Sequence, residues 1–455
     1  MDEKQLNYEF MSILSESHPG LTFEEYRDSC IYLLFYQYLC LRYDDKLEES
    51  YKLEAMVRLA IRGKLQMPSF LRFMENASPF IHMINNRFQL TELSFYRHLL
   101  EVQSLEKQKS YARFFRKFIK KIDSWSCKEL LLEQYPGLFG RLLEEFARAK
   151  KDSYISGELT GLYRMIFNQE NPNPRKVFIP DFQYGVLYQT MLGDSDSTEL
   201  FGYETHEDFI EILEMISFMK NIPENAVHFY TKTDWEKETD FKGVFDLIAM
   251  FMPDGVEAGN LVSPVDSYIS REFLRSTAKG EFPFILSALP LLNEHGAMVV
   301  VLPSALLYRE GKESQVRRYL VEEENCLDMI MLLPDRLFHS TGQKEVLLFF
   351  KKGRVREDVM FFDCSEMEHF GEEQLKSITT AWSEHSTIPG FCSCVDQISM
   401  KKNEYNLNLP RYIKKSVKMT QIDLDARRKR IEEIDRELEE IEKRIIMYKR
   451  DLELI

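Results

Sequence analysis

The residues of this chain that could carry chemistry lie where short apolar runs end, because an α/β sheet binds nucleotides and cofactors at the carboxyl ends of its strands. The glycine patterns that usually mark such a site are missing. The sequence has no Gly-x-Gly-x-x-Gly, no Gly-x4-Gly-Lys-Ser/Thr and no Gly-x-Ser-x-Gly. A dinucleotide fingerprint, a P-loop and a hydrolase nucleophile elbow are therefore not expected.

Side chains that bind metals are scattered along the sequence. None of the nine histidines lies at a ligand-type spacing from another. Cys392 and Cys394 form the only close cysteine pair, and no second pair follows at ligand spacing. We therefore expect no metal site. Four histidines near predicted strand or helix ends are expected to be surface or structural residues: His206, His228, His295 and His339.

Composition indicates an acidic globular protein. The chain has 455 residues, with 59 Lys and Arg against 74 Asp and Glu, for a net charge of −15. This length suggests two or three domains. The net charge argues against a protein that coats nucleic acid through bulk charge, but it does not exclude a local basic groove.

Targeting signals are not evident, and the cysteine content indicates a reducing compartment. The N-terminus lacks the basic start and apolar run of a secretory signal. The longest apolar stretch, 30–41, is broken by Gln37 and is shorter than the ~20 residues that span a bilayer. It predicts a buried core helix. The seven cysteines are thinly scattered, which is typical of a cytoplasmic protein.

Three regions differ in their apolar spacing. Over 1–150 the spacing has the period of a helix, which predicts a bundle of six or more helices. Over 151–415, and clearly after the breaker Asn171-Pro-Asn-Pro174, short apolar runs alternate with amphipathic segments. This alternation predicts an α/β domain with a mainly parallel sheet covered on both faces. Residues 416–455 form a third region, a helical tail.

The α/β region contains eight predicted strands and three predicted helices. The last two predicted strands, 346–350 and 359–362, are separated by a loop too short for a helical crossover. An antiparallel edge is therefore expected at this end of the strand order. The predicted strands are 177–180, 199–203, 227–230, 244–251, 297–302, 327–333, 346–350 and 359–362. The predicted helices are 208–219, 270–292 and 312–323.

The tail carries a narrow apolar seam with charged flanks. Its apolar residues alternate at spacings of three and four, which is typical of a coiled coil that meets a partner helix. The alternative is a solvated helix that folds back on its own domain. The seam residues are Ile431, Ile434, Leu438, Ile441, Ile445, Tyr448 and Leu452.

The most distinctive motifs lie between residues 281 and 412. A strand after His295-Gly296 leads into Pro303-Ser-Ala-Leu-Leu-Tyr308, a helix with Arg317-Arg318 follows, and Asn406-Leu-Asn-Leu-Pro-Arg411-Tyr412 closes the region. This succession resembles the adenine-N6 DNA methyltransferase domain of type I restriction-modification M subunits, most clearly over 172–412. The resemblance implies a Rossmann-like class I methyltransferase sheet, an N-terminal helical domain and a C-terminal coiled-coil helix.

The resemblance also implies where S-adenosylmethionine would bind. The family's Asp-Pro-Ala-Cys-Gly-Ser-Gly loop corresponds here to Ile179-Pro-Asp-Phe-Gln-Tyr-Gly185, of which Pro180 and Gly185 match and Asp181 is one position out of register. Bulky side chains stand where glycines let the cofactor approach. Gly202-Tyr-Glu204 matches the motif whose acid binds the cofactor ribose, so Glu204 is the retained candidate.

A further cofactor motif is degenerate as well. The family's Gly-x-Phe/Tyr-Thr-Pro corresponds to Gly157-Glu-Leu-Thr-Gly161, without its aromatic residue and its proline. We therefore expect no bound cofactor, or S-adenosylmethionine if the chain is active.

The catalytic motif implied by the resemblance is degenerate too. The family's Asn-Pro-Pro-Phe, which binds and stacks on a flipped adenine, corresponds to Phe251, Met252, Pro253 and Asp254. Only Pro253 matches, and Phe251 has no hydrogen-bond acceptor. A shifted register could use Asp254 as the acceptor, but Gly255-Val256 follows it instead of proline and an aromatic residue.

The layout of the family implies a DNA contact and a protein partner. One segment of the helical region is basic and interleaved with aromatic residues, which predicts an outward basic face or an ordinary solvated helix face. Double-stranded DNA and a specificity-type or second M-like subunit are the expected partners. The DNA-binding candidates are Arg113, Arg116, Lys117, Lys120 and Lys121.

Three functions remain open at this point. The chain is expected to be a catalytically inactive methyltransferase-like subunit of a DNA-modification or DNA-defence complex. The alternatives are an active adenine-N6 methyltransferase with unorthodox motifs and a regulatory scaffold that does not bind DNA.

Overall fold

A computed structural model gives the fold, and the chain divides into two compact units, Met1–Ile413 and Lys414–Ile455. In the first unit the structure describes residues 8–9, 11–15, 18–125, 128–150, 157–180, 186–191, 198–204, 207–235, 241–251, 281–337 and 344–413. In the second unit it describes residues 414, 434, 436, 438, 441, 443 and 445.

The N-terminal region is helical, as predicted. Helix α1 begins with a capping box, in which the Thr22 hydroxyl accepts from the Glu25 amide at 3.2 Å and the Glu25 carboxylate accepts from the Thr22 amide at 2.7 Å. All residues from Ser29 to Cys40 are buried, which confirms the predicted core helix. The helices are α1 Phe23–Arg42, α2 Leu53–Ile61, α3 Met67–Asn85, α4 Ser94–Glu101, α5 Leu105–Asp123 and α6 Lys128–Lys150.

A nine-stranded mixed sheet follows. Each of the eight predicted runs forms a strand, and the ninth strand, Cys392–Val395, was not predicted because four residues with a central serine make no apolar run. The strands are β1 Lys176–Pro180, β2 Glu199–Glu204, β3 Val227–Thr231, β4 Phe245–Phe251, β5 Leu292–Pro303, β6 Leu327–Leu332, β7 Glu345–Lys351, β8 Val359–Asp363 and β9 Cys392–Val395.

The strand order is β3-β2-β1-β4-β5-β7-β6-β8-β9. Strands β1 to β5 pair in parallel, whereas β7 lies antiparallel between β5 and β6. The expected antiparallel edge is therefore formed by β8 and β9, and the prediction that β7 and β8 form it was wrong. The loop between β7 and β8 passes β6, because two strand spacings of ~4.8 Å are well within its reach.

Helices cover the sheet between the strands. The predicted helix over 270–292 is shorter in its described part, since α11 ends at Ala288 and β5 begins at Leu292; residues 270–280 lie outside the described ranges. The predicted helix over 312–323 is α12 followed by a π-helical turn, Tyr319–Glu323. The helices are α7 Gly157–Glu170, α8 Val186–Met191, α9 Glu207–Met219, α10 Lys232–Trp235, α11 Glu281–Ala288, α12 Lys312–Arg318, α13 Glu372–Ser383 and α14 Gln397–Lys402.

Alternate strand residues face two apolar cores. In β1, Val177 and Ile179 join a core that continues into the N-terminal helices, and Phe178 joins the core on the other face. Helix α1 also contacts the end of α9, where the Tyr38 hydroxyl donates to the Met219 carbonyl at 3.3 Å. The helical region and one face of the sheet thus share a continuous core.

The tail is helical at each of its described positions. The seam residues Ile434, Leu438, Ile441 and Ile445 are 42–52% exposed. Ile431, Tyr448 and Leu452 lie outside the described residues. Among the described helices of the chain, none has the length and apolar character needed to cross a membrane.

Candidate functional site

Three of the predicted site residues lie at the carboxyl ends of adjacent strands. Strand β1 lies between β2 and β4, and its last residue, Pro180, pairs with Tyr203, one residue before Glu204. Phe178 pairs with Ile248, so the same register places Pro180 opposite Met250, one residue before Phe251. Pro180, Glu204 and Phe251 therefore end three adjacent parallel strands, which is where this fold binds ligands.

The end of β4 is apolar. Phe251 is 6% exposed and belongs to the core that includes the N-terminal helices. Just before it, the Met250 carbonyl accepts a 2.5 Å hydrogen bond from the buried hydroxyl of Tyr163 in α7. Burial raises the pKa of Tyr163 well above its ordinary value, so this hydroxyl is a permanent donor. The described end of β4 thus carries an aromatic ring, at the position that the sequence resemblance aligns with a base-binding asparagine.

The end of β2 carries the acid that the sequence singled out. Glu204 is 3% exposed and pairs with Thr231 at the end of β3. The Thr231 hydroxyl donates to the Asp234 carboxylate at 2.8 Å and accepts from the Asp234 amide at 3.1 Å, which fixes the start of α10. This arrangement places a carboxylate at the carboxyl end of β2, where the sequence resemblance predicts the ribose-binding acid.

Beyond Thr231, an aromatic stack fills the second face of the sheet. Trp235 of α10 is 2% exposed and stacks on Phe178 and Phe241 at centroid distances of 4.4 and 4.6 Å. Large buried aromatic rings supply much of the apolar area in a core. Helix α10 therefore serves the core of this face.

The described residues meet only part of what S-adenosylmethionine needs. Glu204 has the right chemistry for ribose hydroxyls, but a ribose could reach it only by displacing the atoms that bury it. Phe251 offers neither a donor nor an acceptor to a target base. Asp181, Gly185, Met252, Pro253 and Asp254 lie outside the described residues. Of the described positions, Glu204 has suitable chemistry for the cofactor and Phe251 lacks the base-binding group, and we derive no catalytic step through the cofactor.

The basic segment forms one face of α5. Phe114, Phe115 and Phe118 are at most 1% exposed, as the interleaved pattern predicts. Arg113, Lys117 and Lys120 are exposed, and Arg116 and Lys121 are half-buried. In the described part of the chain, no carboxylate forms an ion pair with Arg116 or Lys120. Lys121 donates to the Ser12 hydroxyl at 2.8 Å, and Arg113 to the Ser110 hydroxyl at 3.3 Å.

Three cations near the end of β7 are held by other groups of the chain. Lys351 pairs with Glu170 at 2.5 Å, Lys352 donates to the Leu292 carbonyl at 2.7 Å, and Arg354 pairs with Asp328 at 2.6 Å. Cations that hold backbone carbonyls or buried acids are not available to phosphates.

Arg317 is a structural residue that sequence reasoning did not identify as one. Its side chain is 2% exposed and donates to the carbonyls of Tyr405, Leu306 and Arg309 at 2.7–2.8 Å. The sequence contained a signal for its burial, because Arg317 follows the apolar Val316 and lies three positions before Leu320, on the same side of the helix. Burial lowers its pKa to about 10.

The run Asn406–Tyr412 owes its shape to hydrogen bonds within the run and to a neighbouring loop. The Asn406 side-chain oxygen accepts from the Asn408 amide at 3.1 Å, and the Tyr412 hydroxyl donates to the Asn406 carbonyl at 2.8 Å. The Leu407 amide donates to the Leu307 carbonyl at 2.9 Å, in the turn after β5. The run thus closes the α/β region as a packed element.

Comparison with known proteins identifies relatives of both the sequence and the fold. The profile of the N-6 DNA Methylase family matches residues 183–420. The chain is 26% identical over 220 residues to the type I restriction enzyme MpnII methylase subunit of Mycoplasma pneumoniae, covering 45% of this chain and 40% of that protein. It is 23% identical over 327 residues to the MjaVII methylase subunit of Methanocaldococcus jannaschii, covering 68% and 54%. The chain spans about half the length of these two relatives.

A solved structure reproduces the fold over most of the chain. The type I restriction-modification methyltransferase subunit of Streptococcus thermophilus superposes with a TM-score of 0.72 at 18% identity, over 90% of this chain and 98% of that one. A modification subunit of a putative type I restriction enzyme from Vibrio vulnificus gives 0.55 at 14% identity, over 86% and 95%. The class I methyltransferase fold and the resemblance to M subunits, both predicted from the sequence, are confirmed.

Proposed function

Because the chain belongs to the N-6 DNA methylase family, we propose that it is a non-catalytic methyltransferase-like subunit of a type I restriction-modification-like or DNA-defence complex. The observation that carries the proposal is the end of β4. Phe251 stands there at the position of the base-binding asparagine, and it is buried. Without an acceptor for the adenine amino group, a flipped base is neither held nor oriented for methyl transfer.

The proposed roles are assembly and DNA contact. A half-exposed apolar seam in the tail supports assembly, because Ile434, Leu438, Ile441 and Ile445 would be covered by a partner helix. The basic face of α5 supports DNA contact, because Arg116 and Lys120 form no ion pair with a described carboxylate and can meet phosphates. A specificity-type subunit or a second M-like subunit is the partner, and double-stranded DNA is bound within the complex.

An active adenine-N6 methyltransferase is the second candidate. It is favoured by the names of the relatives, which are methylase subunits, and by Glu204, which keeps the acid at the end of β2. A regulatory scaffold that does not bind DNA is a third candidate, which the net charge of −15 favours.

Methyl transfer by a reconstituted complex separates the first two candidates. The chain is combined with a specificity-type subunit, target-bearing duplex DNA and S-adenosylmethionine with a labelled methyl group. A complex with an intact M subunit is the positive control. We expect label in DNA with the intact subunit and none with this chain. Label that this chain incorporates, and that Glu204→Ala abolishes, would establish the active enzyme instead.

A further inference from the structure

Three side chains with different metal-binding atoms meet at the end of the sheet opposite Pro180 and Glu204. The Cys394 sulfur lies 3.0 Å from a carboxylate oxygen of Asp358, and His385 Nδ1 lies 3.5 Å from the same oxygen. The three ligand atoms all lie within 4.8 Å of one another. Ligands at 2.0–2.3 Å from one zinc ion are ~3–4 Å apart, so small side-chain shifts would complete a shared site.

Strand directions place this cluster far from the proposed methyltransferase site. Strand β8 is parallel to β6, and β5 and β6 are both antiparallel to β7, so β8 runs in the same direction as β1 and β4. Asp358 immediately precedes β8 and therefore lies at the amino end of the sheet. The carboxyl ends of β1, β2 and β4 lie at the other end, so the two sites are distinct.

Tertiary structure assembles the cluster from three segments. Met360 pairs with Cys394 across β8 and β9, which carries the thiol to the start of β8. His385 follows α13 with a φ of +51°, and its amide donates to the Trp382 carbonyl at 3.2 Å. Glycine or asparagine usually occupies this left-handed position after a helix, because a larger side chain costs about 1–2 kcal/mol there.

One atom of the cluster lacks the partner that its burial requires. His385 Nδ1 is buried and makes no hydrogen bond to any described residue. A buried polar atom without a partner is unfavourable, and a bound ion is one of the ordinary explanations. The side chain is 21% exposed, so the ring can still turn. Its nearest acceptor is the Asp358 carboxylate oxygen at 3.5 Å, and an ion between the two would satisfy both atoms.

We propose that Asp358, His385 and Cys394 bind a zinc ion. An oxygen, a nitrogen and a sulfur ligand are the set that zinc accepts, with water in a fourth position. A cavity of about 330 Å³ reaches the cluster at His385, beside Arg356. Such an ion would tie the edge strand β9 to the start of β8 and to the end of α13.

Arg356 occupies the carboxylate in the absence of the ion. Its Nε donates to Asp358 Oδ1 at 2.9 Å, and its side chain is 57% exposed, so it can withdraw into solvent. The Cys394 thiol donates a hydrogen bond to the Asp358 carboxylate at 3.0 Å, so the sulfur carries its proton in the metal-free chain. Zinc binding therefore forms a sulfur–zinc bond, breaks the S–H bond and releases one proton to solvent.

Cobalt(II), a spectroscopic substitute for zinc, tests the site in the full-length chain. We expect one cobalt per chain, a thiolate-to-cobalt charge-transfer band, loss of the band when zinc is added, and tighter binding at higher pH. Cys394→Ser removes the band, and His385→Asn weakens binding at least tenfold. Cys392→Ala, which alters the other cysteine of β9, is the matched control and leaves the band intact.

Arg356→Gln separates a metal site from a structural cluster. Removing the competing guanidinium should tighten cobalt binding about tenfold, which a merely structural role of the three side chains would not do. Thermal unfolding without metal shows whether each variant is folded, and His385→Asn replaces Cys394→Ser if the latter is not. Absence of the band in both the wild-type chain and Arg356→Gln, or a band that persists undiminished in Cys394→Ser and His385→Asn, would overturn the proposal.

Discussion

The Arg317 guanidinium donates a 2.7 Å hydrogen bond to the carbonyl oxygen of Tyr405, directly before the run Asn406–Tyr412. Its two other nitrogens donate to the carbonyls of Leu306 and Arg309, both at 2.8 Å. Tyr405 itself has a φ of +54°, a conformation that needs support from its surroundings. One buried cation thus joins the loop after β5 to the segment that closes the α/β region.

Replacing Arg317 with lysine should destabilise the chain by about 2–4 kcal/mol. A lysine ammonium cannot reach three carbonyls in the fixed geometry of a guanidinium, and buried carbonyls would lose their donors. Urea unfolding measures the change. The matched control is Arg318→Lys, because Arg318 is 56% exposed and pairs only with Glu322. Equal unfolding free energies for the two variants would contradict the role assigned to Arg317.

Glu322 should make stability depend on acid pH. Hydrogen bonds from Lys401, Tyr405 and Arg318 lower its pKa to about 2 from an ordinary value near 4.5. The folded state therefore favours the ionised carboxylate, a contribution that is complete above pH ~4.5 and is lost as the pH falls towards 2.

The comparison with Glu322→Gln tests this sign. The variant should unfold at lower urea concentration than the wild type at pH 6.5, and the difference should shrink at pH 3. Glu323→Gln, an exposed neighbour, is the control and should show no such convergence. A difference that stays constant or grows on acidification would rule out the assignment.

Charge reversal on α5 should weaken DNA binding by the complex. Arg116→Glu with Lys120→Glu removes two cations that have no acidic partner among the described residues. Each lost phosphate contact lowers the slope of log K against log salt by about 0.9, so the slope should fall by about 2. Fluorescence anisotropy over a salt series measures it. Lys64→Glu with Arg72→Glu makes the same charge change at exposed residues of the same region; equal losses from both pairs would exclude a specific face.

Leu438→Asp should abolish assembly without unfolding the chain. The side chain is 52% exposed in the free chain, so the substitution costs little there, but a charge in a helix–helix seam costs about 3 kcal/mol and weakens binding at least 100-fold. Sedimentation with the specificity-type subunit measures binding. Arg436→Glu, an exposed change off the seam, should bind normally. Normal assembly by Leu438→Asp would refute the seam.

Local patterns were sufficient to predict β1 to β8 and the N-terminal helices. Buried strands appear in the sequence as short apolar runs, and amphipathic helices appear as apolar residues three or four positions apart. They could not give the position of β7, which lies between β5 and β6. The apolar residues of β7 would pack equally well in an edge strand or in a central strand. Which strands β7 pairs with depends on connecting loops that pass other strands. The short strand β9 has no such period.

The candidate site was predictable in part for the same reason. Glu204 and Phe251 could be placed because each lies at the carboxyl end of a predictable strand. Tyr163 and Arg317 could not, because their partners are backbone carbonyls distant in sequence. Asp358, His385 and Cys394 are likewise brought together only by the pairing of β8 with β9 and the turn after α13.

Calorimetric titration of the full-length chain with S-adenosylmethionine tests the central claim most directly. The proposed non-catalytic subunit predicts no saturable heat up to ~1 mM cofactor, a limit that corresponds to a binding free energy weaker than about −4 kcal/mol. It also predicts the same trace for Glu204→Ala. Saturable binding with a micromolar Kd that Glu204→Ala weakens tenfold or more would contradict the account and favour an active methyltransferase.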